Sequence, residues 1–132
     1  MAHISHNLDE YTKQALWVEH KKSCFYCREI LEYKNIHVDH VIPSKVFSGN
    51  ESAVRLKYSL ALTFDFNSLD NFVPSCQSCN SFRKNQHEIE NGIPLWLMQC
   101  SSKKTQILKL AEKIKKSLTL DLPDQYRQYF LS

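Results

Sequence analysis

The chain is 132 residues long, enough to bury one compact core, so a single functional site is the expectation. Its hydrophobic fraction of 42% and charged fraction of 23% exclude the charge-rich, core-poor composition of a disordered chain. The formal charge of +3 permits a nucleic-acid partner without demanding one, because phosphate recognition depends on clustered Lys and Arg more than on totals.

The first 19 residues lack the uninterrupted apolar stretch of a signal peptide, and nothing later approaches a membrane span. A cytoplasmic, reducing location with no membrane partner is therefore expected. Helical spacing of Leu8, Tyr11, Ala15 and Val18, with Leu16 on a neighbouring stripe, predicts a first helix over 8–22. It ends at a cysteine pair. Residues 32–39 lack a sustained helical stripe, and Val41-Ile42-Pro43 suits an extended segment stopped by proline, so a short strand is expected there. The stretch 44–67 is mixed: Gly49-Asn50 marks a turn, and Ala53, Leu56, Leu60 and Phe64 could line one helix face. It reads as an insertion between two halves of a site. Residues 71–74 form a second extended segment, followed by a helix over 75–87. Pro94 suits the first turn of another helix, with Leu95, Leu97 and Met98 on its apolar face. A longer helix is expected over 105–118, where Ile107, Leu110, Ala111, Ile114 and Leu118 recur at helical spacing. Pro123 breaks it before a last turn containing Tyr129 and Phe130.

Four of the five cysteines form two C-x-x-C pairs, Cys24 with Cys27 and Cys76 with Cys79. In a reducing compartment paired cysteines are metal ligands more often than disulfides. Two thiolates from each of two tight turns complete a tetrahedral zinc shell. That shell has no open position, so the ion would be structural. Buried free thiols and a redox disulfide are the alternatives. Cys100, alone on an apolar helix, is a core residue in this reading.

Between the pairs, the run from His37 to Pro43 sets the oxygen ligand Asp39 beside the imidazole of His40. A phosphodiester hydrolase uses both: the imidazole to take a proton from water, the oxygen-ligated cation to neutralise charge on the phosphate. The other half runs Asn71-Phe-Val-Pro-Ser-Cys76-Gln-Ser-Cys79-Asn80, with Arg83 and Lys84 one turn further. In order, C-x-x-C, D-H-x-x-P and N-x4-C-x-x-C-N resemble the pattern of the HNH endonuclease family over residues 24–84.

The resemblance implies an α+β fold: a small ββα-metal core with a four-cysteine structural zinc site, flanked by an N-terminal helix and C-terminal helices. Together with the chain length this gives the expectation of one domain over 1–132, with the nuclease core at about 22–90 and a helical extension at about 91–132. His40 matches the family's general base, Asp39 and Asn80 its catalytic-metal ligands, and Asn71 the asparagine that positions the histidine-bearing loop. Arg83 and Lys84 would contact phosphate; His37, which shares the strand face of Asp39, is a reserve candidate for a contact to a metal ligand or to phosphate, with a solvent-facing strand residue as the other reading. Magnesium or manganese suits the oxygen ligands, with nickel or zinc possible. DNA is the expected partner, and cutting both strands with one site calls for a homodimer or two binding events. The segment 47–69 departs from the family's pattern.

Each assignment has a structural rival. His40 could be a buried histidine satisfied by a carbonyl, Asn80 a helix cap and Asn71 a turn residue. Adjacent strand residues point to opposite faces, so Asp39 and His40 can meet one phosphate only if the strand loses regular geometry. The rival readings of the whole chain are a non-catalytic zinc-stabilised nucleic-acid-binding module and a protein-interaction domain docking through Trp96.

Overall fold

The computed structural model describes residues 8–82 and 88–119, and the fold is α+β. Helix α1 (Glu10–Glu19) opens at an N-cap in which Asp9 accepts from the Thr12 amide at 2.7 Å, satisfying one of the donors that every helix start exposes. It closes at His20, because Lys21 and Lys22 adopt φ values of 60° and 56°. The expected helix is thereby shortened. Ala15 and Leu16 are its fully buried residues.

A 3₁₀ turn (Tyr33–Asn35) leads into β1 (His37–His40), which pairs antiparallel with β2 (Phe72–Ser75). The register sets His37 against Ser75, Asp39 against Val73 and His40 against Phe72. The inserted segment contributes two short helices, α2 (Ser44–Phe47) and α3 (Glu51–Lys57). Its buried residues are Phe47, Val54 and Phe66, whereas Leu56 faces solvent. The face drawn through Ala53, Leu56 and Leu60 does not form, because α3 stops at Tyr58 and Ser59 takes a φ of 53°.

Helix α4 (Gln77–Phe82) follows β2, and α5 (Glu88–Thr119) is one continuous helix of 32 residues that includes Pro94. Two helices were expected here. The buried residues Ile93, Leu97, Cys100, Ile107, Ala111 and Ile114 recur at alternating intervals of three and four across the supposed break, with Lys104 at the intervening position. That stripe faces two cores in turn. Ile93, Leu97 and Cys100 pack with Phe25, Val41, Ile42, Phe47, Val54, Phe66 and Val73. Ile107, Ala111 and Ile114 pack with Ala15, Leu16 and Leu69. Trp96 turns inward, edge-on to Phe25 and Tyr26, so it is a packing residue. Leu95 and Met98 are exposed, since the helical phase set by Ile93 and Leu97 carries them outward. Among the described residues no helix is long and apolar enough to cross a membrane.

Candidate metal centre

The first cysteine pair lies on a tight turn. The Cys24 amide donates to the Glu29 carbonyl at 2.8 Å and the Arg28 amide to the Cys24 carbonyl at 2.9 Å, folding the chain back so that both thiols face one point. Arg28 completes this turn with a φ of 69°. The turn is held to the hairpin by the Phe25 amide, which donates to the Pro74 carbonyl at 2.9 Å. The second pair needs no such tether, because it leaves β2 directly: Cys76 follows Ser75, and the Cys79 amide points at the Cys76 sulfur at 3.4 Å.

All four sulfurs lie within 4.8 Å of one another. The Cys27 and Cys76 sulfurs are 3.9 Å apart, against roughly 3.8 Å for the edge of a tetrahedron with zinc–sulfur bonds of about 2.3 Å. Burial alone would raise the Cys24 thiol, yet backbone N–H groups of Cys27, Cys76 and Tyr26 directed at its sulfur hold it below the ordinary value. At Cys27 the Glu29 amide favours the thiolate, but burial and the neighbouring sulfurs of Cys24 and Cys76 raise the thiol. A divalent cation relieves that mutual repulsion, and the cluster is of the kind that holds a structural zinc. Cys100 stands apart, its thiol on the Phe72 carbonyl at 3.6 Å and pushed up to about 12 by burial and by Asp70.

The expected catalytic constellation does not assemble. Strand β1 keeps regular pairing through His40, so Asp39 and His40 point to opposite faces. The Asp39 carboxylate accepts from the Tyr26 hydroxyl at 2.9 Å, and the residue is 2% exposed. His40 is 4% exposed; its Nε2 lies 2.9 Å from the Asn67 Oδ1, and its ring packs against Phe47 and Phe72. Asn80 lies within α4, its amide on the Cys76 carbonyl at 3.0 Å, and so does not cap that helix.

Among the described residues, the side chains gathered as metal ligands are the four cysteines, with no histidine or carboxylate among them. This overturns the expectation of an HNH endonuclease in which His40 activates water and Asp39 and Asn80 hold magnesium or manganese. A four-thiolate cluster closes its own coordination shell and supplies no hydrolytic centre.

Asn71 is wholly buried and braces the connection after β1. Its Oδ1 accepts from the Ile42 amide at 2.8 Å, and its Nδ2 donates to the carbonyls of Ile42 at 3.1 Å and Phe66 at 3.0 Å. His37 is exposed at the start of β1. Arg83, Lys84 and His87 lie outside the described residues. Sequence reasoning missed Tyr26 and Asn67, the partners of Asp39 and His40. Tyr26 is one of two residues between paired cysteines and Asn67 falls in the insertion, so neither stands in a pattern that marks it.

No family model matches the chain, and neither a curated protein nor a solved structure does.

Proposed function

We propose that the chain is a non-catalytic, zinc-stabilised module that binds nucleic acid, DNA foremost, through the phosphate backbone. The observation that carries the reading is the four-cysteine cluster, which among the described residues gathers no histidine or carboxylate as a further ligand. The lysines of α5 support the choice of partner. Lys109, Lys113 and Lys116 are exposed on the side of α5 opposite to Ile107, Ala111, Ile114 and Leu118. Such a row can follow a phosphate backbone without reading bases. In this reading His37, Arg83 and Lys84 add phosphate contacts, and residues 1–132 act as one domain. A cytoplasmic, reducing setting keeps the thiols available to the metal.

The test measures binding of the zinc-loaded chain to a fluorescent duplex over a series of salt concentrations. Affinity should fall steeply with salt. Replacing Lys109, Lys113 and Lys116 together by Gln should weaken binding at low salt and reduce the slope by about 2 to 3. In parallel, supercoiled plasmid should stay intact with magnesium or manganese. Absence of salt-dependent binding, or metal-stimulated cleavage, would refute the reading.

A further inference from the structure

A second feature lies on the far side of the first cysteine turn, where the end of α1 meets α5. A cavity of about 430 Å³ is lined by His20, Lys21, Ser23, Arg28, Ile30 and Lys103, a volume within the range of about 300–1,000 Å³ that small-molecule sites occupy. Three of these residues are cations from three different parts of the chain, and no carboxylate is among the lining residues.

We infer that this cavity is a phosphate-binding pocket, in which Arg28, Lys21 and Lys103 compensate the charge and His20 offers a ring nitrogen. His20 carries the strongest sign of a ligand. It is 5% exposed, its Nε2 has no hydrogen-bond partner among the described residues, and a buried polar atom is ordinarily satisfied. Its ring stands edge-on to Phe25, with centroids 5.7 Å apart. The Arg28 guanidinium lies 5.5 Å from the centroid of the same ring, so Phe25 holds both groups at the wall of the cavity. The charges acting on His20 are those of Lys103 and Arg28, which add to burial in holding the imidazole neutral, at about 4. A neutral imidazole keeps one N–H; because Nε2 is closed off from solvent, the ring must turn slightly to present it to a phosphate oxygen.

Lys103 gives one of its protons to the Glu19 carbonyl at 3.0 Å, which offsets the negative end of α1 and leaves two further donors on the same ammonium. Lys21 and Arg28 occupy left-handed backbone positions, with φ of 60° and 69°. Glycine suits such positions best, yet both here carry long cationic side chains that reach the cavity. A guanidinium fork and two ammonium groups suit a tetrahedral dianion better than a planar carboxylate of single charge. The inference stands apart from the nucleic-acid reading, since its first probe is inorganic phosphate.

The experiment is a titration of the zinc-loaded full chain with inorganic phosphate, followed by amide and imidazole NMR, against sodium chloride at matched ionic strength. Saturable shifts confined to His20, Ser23, Arg28 and Lys103 are expected with phosphate alone. Arg28→Gln should weaken binding about tenfold or more, and Lys21→Gln about threefold. Zinc content confirms that each variant keeps its fold. Shifts that chloride reproduces, or that persist unchanged in both variants, would overturn the proposal. Displacement of phosphate by a 5′-phosphorylated oligonucleotide, but not by its unphosphorylated counterpart, would identify a strand end as the source. Displacement by neither would point to free phosphate or a small phosphate ester.

Discussion

Every polar atom of the Asn71 side chain is bonded to backbone, and none of it reaches solvent. An aspartate in its place could accept from the Ile42 amide but could not donate to the carbonyls of Ile42 and Phe66, and alanine would leave all three groups buried and unmet. Each such loss costs about 1–3 kcal/mol, partly relieved by local rearrangement. Asn71→Ala should therefore destabilise the chain by roughly 3 kcal/mol in chemical denaturation, and a loss below about 1 kcal/mol would show that water replaces the amide. His20 sets a pH dependence of definite sign. Burial, then Lys103 and Arg28, lower its pKa from 6.5 to about 4, so the unfolded chain takes up the proton first. The stability it contributes is whole above about pH 6.5 and is lost as pH falls through about 4, amounting to roughly 3 kcal/mol when protonation is complete. His20→Gln should flatten the decline between those limits relative to wild type. Parallel curves for the two proteins would mean that other groups, the cysteines first, set the acid limit.

At the scale of elements, α5 ties the two cores together, and its course depends on a glycine and a lysine. A Cβ at residue 92 would lie 2.6 Å from Cζ2 of the Trp96 indole, so the ring lies across the helix backbone where only glycine leaves room. Alanine ordinarily gains about 1 kcal/mol over glycine inside a helix. Here it must push the indole away from Phe25 and Tyr26, at the usual overpacking cost of about 1–3 kcal/mol. Gly92→Ala is expected to be destabilising on balance, with a changed near-ultraviolet dichroism; a more stable variant would show that the indole moves freely. Lys104 falls where the apolar stripe crosses from one core to the other, and its ammonium bonds Asp70 at 2.8 Å. Burial works against that carboxylate, but Lys104 and the Asp65 amide hold it below its usual range. This polar position is why the helix read as two segments: a lysine on the stripe interrupts the apolar repeat. The cysteine pairs and α1 were legible because spacing defines them; the strands were legible only in part, since the extended run expected at Val41-Ile42-Pro43 lies beyond the end of β1 at His40. The fate of Asp39 and His40 was not, since a dipeptide in a motif carries no sign of the tyrosine, asparagine and aromatic rings that enclose it.

For the whole molecule, the balance between metal and apolar burial decides what holds the fold. A hairpin of two four-residue strands is marginal by itself in water. Its outer end is fixed by the two cysteine turns, one continuing β2 and the other bonded to Pro74. Structural zinc contributes about 10–16 kcal/mol of apparent binding free energy near pH 7, comparable with the about 5–15 kcal/mol net stability of an entire domain. The core formed by Ala15, Leu16, Leu69, Ile107, Ala111 and Ile114 contains no cysteine, whereas Phe25 of the first turn belongs to the other core. Loss of metal should thus be uneven. On treatment with a zinc chelator at neutral pH, amides of β1 and β2 are expected to lose hydrogen-exchange protection first, while the middle of α1 and the later turns of α5 keep theirs longer. Cys27→Ser should reproduce that order without chelator, because it removes a ligand that is exposed and fills no core. Cys100→Ser, which places a hydroxyl in the apolar core beside the Phe72 carbonyl, should cost about 1–2 kcal/mol and leave zinc content unchanged. If hairpin amides stay protected after the metal is withdrawn, or if the two serine variants lose zinc alike, the four-cysteine cluster is not what secures the hairpin, and the aromatic packing around Phe25 must suffice.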